Sequence, residues 1–489
     1  MDLLPEEVIG EVLRRLPGRS LAAARGVCSA WRAVVDGLNL LLPHSVRGIF
    51  TNYSGCSRPR FFARPCCPGI DAAFDFITPV QHGQHGVYSV IVDHCNGVLL
   101  YDDGWHWDRR RVRLRPAPQR RPDHHESTIV DHCNGLLLYD DGWDWTHLYV
   151  CNPATRRWAL LPSVPGLDLF PGLCFAGAYL AFDPAMSLHY EVLLIPDVPE
   201  KTTDYDEEDP EDLMEWPPSC HQLMVFSSRT GRWEERAFVR IGEAAGTVAD
   251  VRSNMVVDHN WKTGYSYAEY WRGALYVHCR AGAFVSRFCT SECSYQVIKA
   301  PTNMDENENM RSNFRRSEKG MHYASFRGHR LRVWILLEES HGLPEWVLKY
   351  DVSLNLLSYR MNTLYSEEIN RPWTVDDDDR EKQENNRQSA EWNTDNDDVL
   401  EYGECSHEQQ SRGGFRFLGF HPYKEVVFLS HSNNDVLVPC IRNAVACHLA
   451  SLKVQHLGRN NPKDFAHWQS EEGSFIYTPC LLDLLPQRF

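Results

Sequence analysis

The first forty residues alternate between apolar and polar positions with the period of an α-helix. Their apolar residues recur three or four positions apart, on one face of a predicted helix: Leu4, Val8, Ile9, Val12, Leu13 and Leu16. Pro5 suits the first turn of that helix, and Pro17-Gly18 ends it. Two further short helices are predicted over residues 20–25 and 29–35. Three such helices bury little apolar surface alone, so we expect them to pack on a partner or on the rest of the chain.

The remainder of the chain changes to the period of two that is typical of β-strands. Glycine begins many of these strands, and a tight turn then leads to a tryptophan or another bulky residue. Such units recur five times, at 129–162, 177–240, 266–301, 320–360 and 414–456, and Ser474–Cys480 supplies a further, closing strand. The pattern is that of kelch-like repeats, so we predict an irregular β-propeller, with a two-sheet β-sandwich as the alternative.

Two segments of the chain are nearly identical. Residues 91–107 and 129–145 lie 38 positions apart and differ at only two positions, which indicates a local duplication. Each copy predicts a strand that follows Asn-Gly and ends in an Asp-Asp-Gly turn. Only the second copy continues into a partner strand, at 148–162, whereas the first enters an arginine-rich run at 109–121.

These patterns predict an α+β multidomain protein. A small helical domain occupies 1–42, a connector with the first irregular strands follows at 43–90, and a mainly-β domain with the duplicated segment spans 91–489. Residues 376–412 form an acidic insertion that we expect to be disordered, because it contains almost no aliphatic side chains.

Charge and cysteine content exclude several classes of function. The net charge of the 489-residue chain is −16, which argues against a general nucleic-acid binder and favours a solvated loop over a nucleic-acid or nuclear-import patch for the run at 109–121. No secretory signal or membrane span is recognisable, so we predict a cytoplasmic or nuclear protein. The 16 cysteines lack the paired spacing of a zinc site, and no catalytic motif is present. We therefore predict neither a metal nor another cofactor.

The N-terminal segment resembles the F-box, a small helical bundle. The resemblance implies docking onto the Skp-type linker subunit of a cullin–RING ubiquitin ligase. The positions that match the motif, and that are predicted to form the linker-binding unit, are Leu4, Pro5, Val8, Ile9, Val12, Leu13, Leu16, Pro17, Leu21, Val27, Cys28, Trp31 and Arg32. The residues alone also allow a simpler interpretation, a helical hairpin that only packs on the domain behind it.

The β-rich remainder resembles the propeller-like F-box-associated domain of plant F-box proteins, especially those of grasses. Three segments carry this resemblance: Cys133–Gly135, Cys151–Trp158 and Tyr477–Cys480. The two resemblances imply a non-catalytic substrate-recognition subunit of an SCF-type ubiquitin ligase, which binds a target protein through its β domain. A propeller enzyme and an interaction scaffold outside any ligase remain the alternatives.

Overall fold

The computed structural model describes most of the helical and strand-forming segments of the chain. The described residues are 6–16, 20–21, 24–38, 40, 45–53, 56, 58–64, 90–95, 98–102, 128–140, 148–165, 175–199, 209–255, 268–279, 284–301, 311–317, 319–338, 344–364, 372–376, 413–432, 441–462, 471–482 and 484–485. Its α-helices are α1 (Glu6–Arg14), α2 (Ser29–Gly37), α3 (Val248–Met255) and α4 (Asn355–Leu364). Residues 20, 21 and 24 are also helical, and a short 3-10 helix spans Pro210–Leu213.

Most strands belong to six antiparallel sheets of four strands, numbered here I to VI. Sheet I contains β5 (Thr128–Cys133), β6 (Leu136–Asp140), β7 (Leu148–Asn152) and β8 (Arg157–Leu160). Sheet II contains β9 (Phe175–Ala181), β10 (Glu191–Pro196), β12 (Cys220–Ser227) and β13 (Arg232–Ile241). Sheet III contains β15 (Ala268–Trp271), β16 (Ala274–His278), β17 (Phe284–Cys289) and β18 (Ser294–Lys299).

The remaining sheets follow the same plan, and the last is assembled from distant segments. Sheet IV contains β19 (Arg311–Ser317), β20 (Gly320–Arg327), β21 (Arg330–Leu337) and β22 (Glu345–Ser353). Sheet V contains β24 (Gly414–Phe420), β25 (Val426–Ser432), β26 (Arg442–His448) and β27 (Val454–Arg459). Sheet VI contains, in spatial order, β28 (Glu471–Tyr477), β1 (Gly48–Tyr53), β2 (Arg60–Ala63) and β23 (Thr374–Val375).

Two small two-stranded sheets complete the described strands. The first duplicated segment forms β3 (Val90–Cys95) and β4 (Val98–Asp102), and the register of this pair repeats that of β5 and β6. Among the described residues this hairpin gains no third strand, whereas the second copy continues into β7 and β8 as predicted. Beside sheet II, β11 (Glu215–Trp216) pairs with β14 (Gly246–Thr247).

The first strands of the six sheets contact one another in a closed order. β5 contacts β9, β9 contacts β15, and the succession continues through β19, β24 and β28 back to β5. Sheets II and III are in addition one continuous eight-stranded sheet, because β13 and β18 pair in parallel at Val239–Ile241 and Ser294–Gln296. Since β9 and β15 are the two edges of that sheet and also touch, the eight strands form a nearly closed, barrel-like unit.

Polar side chains link the other neighbouring sheets to each other. Asn52 of sheet VI donates to the carbonyl of Ile129 at 2.7 Å and accepts from its amide at 3.1 Å. Asp131 of sheet I accepts from the backbone amide of Leu180 in sheet II at 2.7 Å. A backbone amide or carbonyl at the unpaired edge of an inner strand needs such a hydrogen-bond partner when it is buried.

The same kind of link joins the remaining sheets. Arg315 of sheet IV donates to the carbonyl of Ala268 in sheet III at 3.4 Å. Ser317 of sheet IV donates to the carbonyl of Lys424 at the β24–β25 turn of sheet V at 2.8 Å. Ser474 of sheet VI donates to the carbonyl of Leu418 in sheet V at 2.7 Å. Each pair of neighbouring sheets is therefore joined by hydrogen bonds as well as by apolar contact.

Apolar side chains fill the space between adjacent sheets. Phe50, Phe61 and Tyr477 of sheet VI pack with Tyr149 and Trp158 of sheet I, with the Phe50 and Phe61 ring centroids 4.4 Å apart. Equivalent clusters lie between sheets II and III, III and IV, IV and V, and V and VI. Burial of these faces supplies the main driving force for the assembly.

The repeat pattern predicted five of the six sheets. Each of the five predicted units overlaps one of sheets I to V, although the unit at 320–360 omits β19 and includes α4. Sheet VI was not predicted as a sheet, because its strands come from residues 48–63, 374–375 and 471–477 and so have no local repeat. The predicted closing strand at Ser474–Cys480 corresponds to β28, which pairs with β1.

Replacement of Asn52 tests the polar link between sheets VI and I. Asn52→Ala leaves the buried amide and carbonyl of Ile129 without this partner, so we expect the free energy of unfolding to fall by about 2–4 kcal/mol. Thermal or denaturant unfolding of the purified protein measures the change. Gln222→Ala, which removes an exposed amide side chain from β12, is the matched control and should change stability by less than about 0.5 kcal/mol. Equal stability of the two variants would contradict the role of Asn52.

Asp131 predicts a specific pH dependence of stability. Burial raises the pKa of its carboxyl group from 3.8 to about 8, against the opposing effects of the Leu180 amide and the Arg315 charge. Because the folded pKa exceeds the unfolded one, the stabilising contribution is complete below about pH 4 and is lost as the pH rises toward 8. We expect Asp131→Asn to gain on the order of 1–3 kcal/mol of stability relative to wild type between pH 5 and pH 8. A difference that is constant over this range, measured by denaturant unfolding, would refute the assignment.

Candidate protein-binding face of the N-terminal helices

Helix α1 carries one broad apolar face, only part of which is buried. Ile9, Leu13 and Leu16 face the protein interior, where Leu13 is completely buried and the other two pack against the same cluster. Val8 and Val12, one helical turn apart, point to solvent and are 43% and 52% exposed. The exposed part of this apolar face, at Val8 and Val12, is therefore available to a partner.

The start of helix α2 adds to the exposed apolar surface. Val27 is 60% exposed, and Cys28 beside it is exposed as well. The Cys28 sulfur accepts a hydrogen bond from the Trp31 amide at 3.4 Å, so Cys28 caps the helix in the way that serine commonly does. The Trp31 ring is partly buried against the cluster beneath it, which leaves part of its side chain at the surface.

The two helices approach closely at Gly10. A Cβ atom at this position would lie 2.9 Å from Leu38 Cδ1 and 3.7 Å from Val34 Cγ1. Glycine therefore allows α1 to lie against α2, while Val34 and Val35 are buried below the contact. Leu38 remains 42% exposed at the end of α2. The close packing keeps Val8, Val12 and Val27 on well-defined backbone.

The structure separates the predicted binding residues into two groups. Val8, Val12, Val27, Cys28 and Arg32 are exposed, whereas Leu13 and Leu21 are buried and Ile9, Leu16 and Trp31 are partly buried in the interior cluster. The predicted residues Leu4, Pro5 and Pro17 lie outside the described residues. Sequence reasoning missed Ala24 as a core residue and Leu38 as an exposed one. Leu38 continues the helical spacing of Trp31, Val34 and Val35, which was the available signal.

The helices share their core with the β-rich part of the chain. Their buried residues Leu13, Leu21, Val34 and Val35 belong to one apolar cluster that also contains side chains of β5–β7, β9 and β10, and Cys480, Leu482 and Leu485 of the segment after β28. Burial of this size fixes the orientation of the helices on the sheets. The exposed valines are thus presented in one orientation relative to the β domain.

The segments Cys133–Gly135, Cys151–Trp158 and Tyr477–Cys480 meet at this support. At Gly135, whose φ is +82°, an added Cβ would lie 2.4 Å from the Cys480 backbone nitrogen, so only glycine permits this approach. Asn152 donates to the carbonyl of Cys480 at 2.8 Å. Arg157 donates to the carbonyl of Leu485 at 3.0 Å. Gly135, Asn152 and Arg157 therefore hold the segment at 480–485 in place beneath the helices.

Buried ionisable groups lie on the inner strands of sheets I, III and IV. Arg315 lies 3.6 Å from the carboxylate of Glu269, and burial raises the pKa of that carboxyl group. Burial also raises the pKa of the Cys133 thiol, which donates to the carbonyl of Phe182 at 3.0 Å. A thiol held protonated in this way is a poor nucleophile. Each of these groups already bonds to a neighbouring sheet and so helps to hold the sheets together.

The described residues contain neither a metal-ligand cluster nor a membrane-spanning helix. Within the described ranges, no group of three or more His, Cys, Asp or Glu side chains is placed to hold a metal ion. No helix in the described part of the chain is both long enough and apolar enough to cross a bilayer.

Comparison with known proteins identifies the N-terminal unit. Residues 1–43 match the F-box domain family. F-box domains typically bind Skp1-type linkers in cullin–RING ligases, so the match supports a general role as an SCF substrate receptor. A comparison with curated proteins finds no match to the chain.

Two solved structures show distant similarity to the chain. A post-proline cleaving enzyme from Rickettsia typhi is 7% identical with a TM-score of 0.26, over 66% of this chain and 33% of the enzyme. A candidate 6-phosphogluconolactonase from Bacteroides uniformis is 10% identical with a TM-score of 0.27, over 65% of this chain and 78% of that one. The chain thus spans about a third of the length of the Rickettsia enzyme.

Proposed function

We propose that this protein is a substrate-recognition subunit of an SCF-type ubiquitin ligase. The observations that carry the proposal are the F-box match at residues 1–43 and the exposed apolar side chains of Val8, Val12 and Val27 within it. Docking of a Skp-type linker on these side chains would remove their apolar surface from water, and each valine contributes up to about 1.5 kcal/mol when fully buried. Leu4, Pro5 and Pro17 complete the proposed linker-binding unit by their place in the motif.

The β-rich part of the chain is proposed to be an irregular, kelch-like propeller of six blades. The closed succession of first strands and the apolar clusters between neighbouring sheets support this arrangement. Sheet VI, which combines β1, β2 and β23 with β28, then closes the ring and brings residues 48–63 into the β domain. The F-box occupies 1–42, and the resemblance of the sheet I segments to grass F-box-associated domains supports a plant origin.

The chain is proposed to act by holding a target protein close to the ligase, without catalysing a reaction itself. The F-box holds the chain on the ligase, and the β domain holds a target protein so that its lysines reach the ubiquitin thioester on another subunit. Intramolecular presentation raises the effective concentration of the lysine, so no catalytic residue is required in this chain. Free cysteines throughout the described residues agree with a cytoplasmic or nuclear location.

Replacement of the exposed valines tests linker binding. We expect Val8→Ser/Val12→Ser to weaken binding of a purified Skp-type linker at least about tenfold, because two apolar contacts are lost. The fold should be unaffected, since neither side chain belongs to the interior cluster. Titration calorimetry of the full chain with the linker measures the affinity.

The matched control is Val239→Ser. Val239 is 57% exposed on β13, outside the F-box, so its replacement removes a similar apolar surface and should leave linker affinity unchanged. Equal affinities for the double variant and wild type would remove the main support for the proposed interface. Binding with normal affinity but no cullin in the assembled complex would instead favour a scaffold outside the ligase.

A further inference from the structure

A polar cavity with an excess of positive charge opens at one end of sheet IV. It has a volume of about 460 Å³ and is lined by Arg327, His329, Arg330, Asp351, Ser353 and Asn355. Arg327, His329 and Arg330 lie at the β20–β21 turn. The other three come from the end of β22 (Asp351 and Ser353) and the first residue of α4 (Asn355). Two arginines and a histidine face one carboxylate, in a chain whose net charge is −16.

Hydrogen bonds hold the lining in place. Arg330 donates to both carboxylate oxygens of Asp351, at 2.5 and 2.9 Å, through Nε and Nη2. This bidentate pair fixes the plane of the guanidinium group and leaves its Nη1 amino group outside the pair. Arg332 also lies 3.3 Å from Asp351, so two arginines share one carboxylate.

The backbone of the cavity is tied to the neighbouring elements. The carbonyl of His329 accepts from the Leu354 amide at 2.7 Å, which joins the β20–β21 turn to the start of α4. The His329 ring lies 3.2 Å from the carbonyl of Gly413 at the start of sheet V. The cavity therefore lies at the junction of sheets IV and V.

We propose that this cavity binds an oxyanion, a phosphate or carboxylate group carried by the target protein. The fork of Arg330 and the guanidinium of Arg327 supply donors whose geometry suits planar or tetrahedral oxygen groups. The Ser353 and Asn355 side chains add polar partners, and the first turn of α4 contains no acidic residue that would repel an anion. The overall negative charge disfavours nucleic acid as the carrier. Only the identity of the carrier rests on the proposed receptor function.

The test uses inorganic phosphate and acetate as probes on the isolated full-length protein. We expect phosphate to raise the thermal midpoint of wild type by on the order of 1–2 °C relative to chloride at the same ionic strength. A stronger effect of phosphate than of acetate would indicate a phosphorylated side chain, and equal effects would indicate a carboxylate. Both outcomes support the site, and neither requires the linker.

Single arginine replacements locate the effect. Arg327→Gln and, independently, Arg330→Gln should each abolish the anion-dependent increment, whatever their effect on basal stability. Arg232→Gln removes an exposed arginine from sheet II and should keep the whole increment. Absence of an increment in wild type, or an equal increment in all three variants, would overturn the proposal. Unchanged linker binding in the Val8→Ser/Val12→Ser variant together with a normal phosphate response would instead fault only the receptor function.

Discussion

The assembly depends on how the inner strands of six sheets satisfy the backbone groups at their unpaired edges. A four-stranded sheet leaves one edge of its first strand facing other sheets, and those amides and carbonyls are costly to bury without partners. Asn52 and Asp131 supply such partners across sheet boundaries, to Ile129 and Leu180. Sheets II and III are joined in addition at their outer strands, where β13 and β18 pair directly. Neighbouring sheets are thus linked by side-chain capping at the inner strands and, in this one pair, by strand pairing at the outer ones.

The capping has an electrostatic cost that the structure accommodates. Asp131 and Glu269 are buried carboxyl groups whose pKa values are raised, and Arg315 lies close enough to compensate part of that cost. A buried network of ionisable groups of this kind contributes less net stability than its contacts suggest, because desolvation opposes the attraction between Arg315 and Glu269. Its value here is geometric, since each group fixes the position of one sheet relative to the next.

The segment at 480–485, which packs beneath the F-box helices, connects the two ends of the described chain. The segment at 480–485 follows β28, is held by Asn152 and Arg157 of sheet I, and shares its apolar cluster with Leu13 and Val35 of the helices. A linker bound to the helices would consequently be oriented with respect to the β domain. For a receptor that works by proximity, this fixed orientation matters as much as affinity.

The N-terminal helices and sheets I to V could be predicted because their information is local. Apolar spacing of 3.6 or 2 residues and the Asn134-Gly135 turn, with φ angles of +45° and +82°, depend on neighbours in sequence. Sheet VI could not be predicted in this way, because β1 pairs with β28 and β2 pairs with β23, and the partners in each pair are hundreds of residues apart in sequence. The same holds for the cavity at Arg327 and Arg330, whose lining includes Asp351 and Asn355 from a different element.

The sequence by itself determined that the chain begins with an amphipathic helical unit of F-box type and continues as repeated β-meanders. It determined which side chains of α1 are apolar, since that depends only on the order of residues. Tertiary structure decided which of them remain exposed, because Leu13 becomes buried only when sheet I and the segment at 480–485 cover it, while Val8 and Val12 meet no such neighbour. Whether a side chain is buried depends on which segments pack against it in the folded chain. Local sequence patterns cannot predict this, because those segments are far apart in sequence.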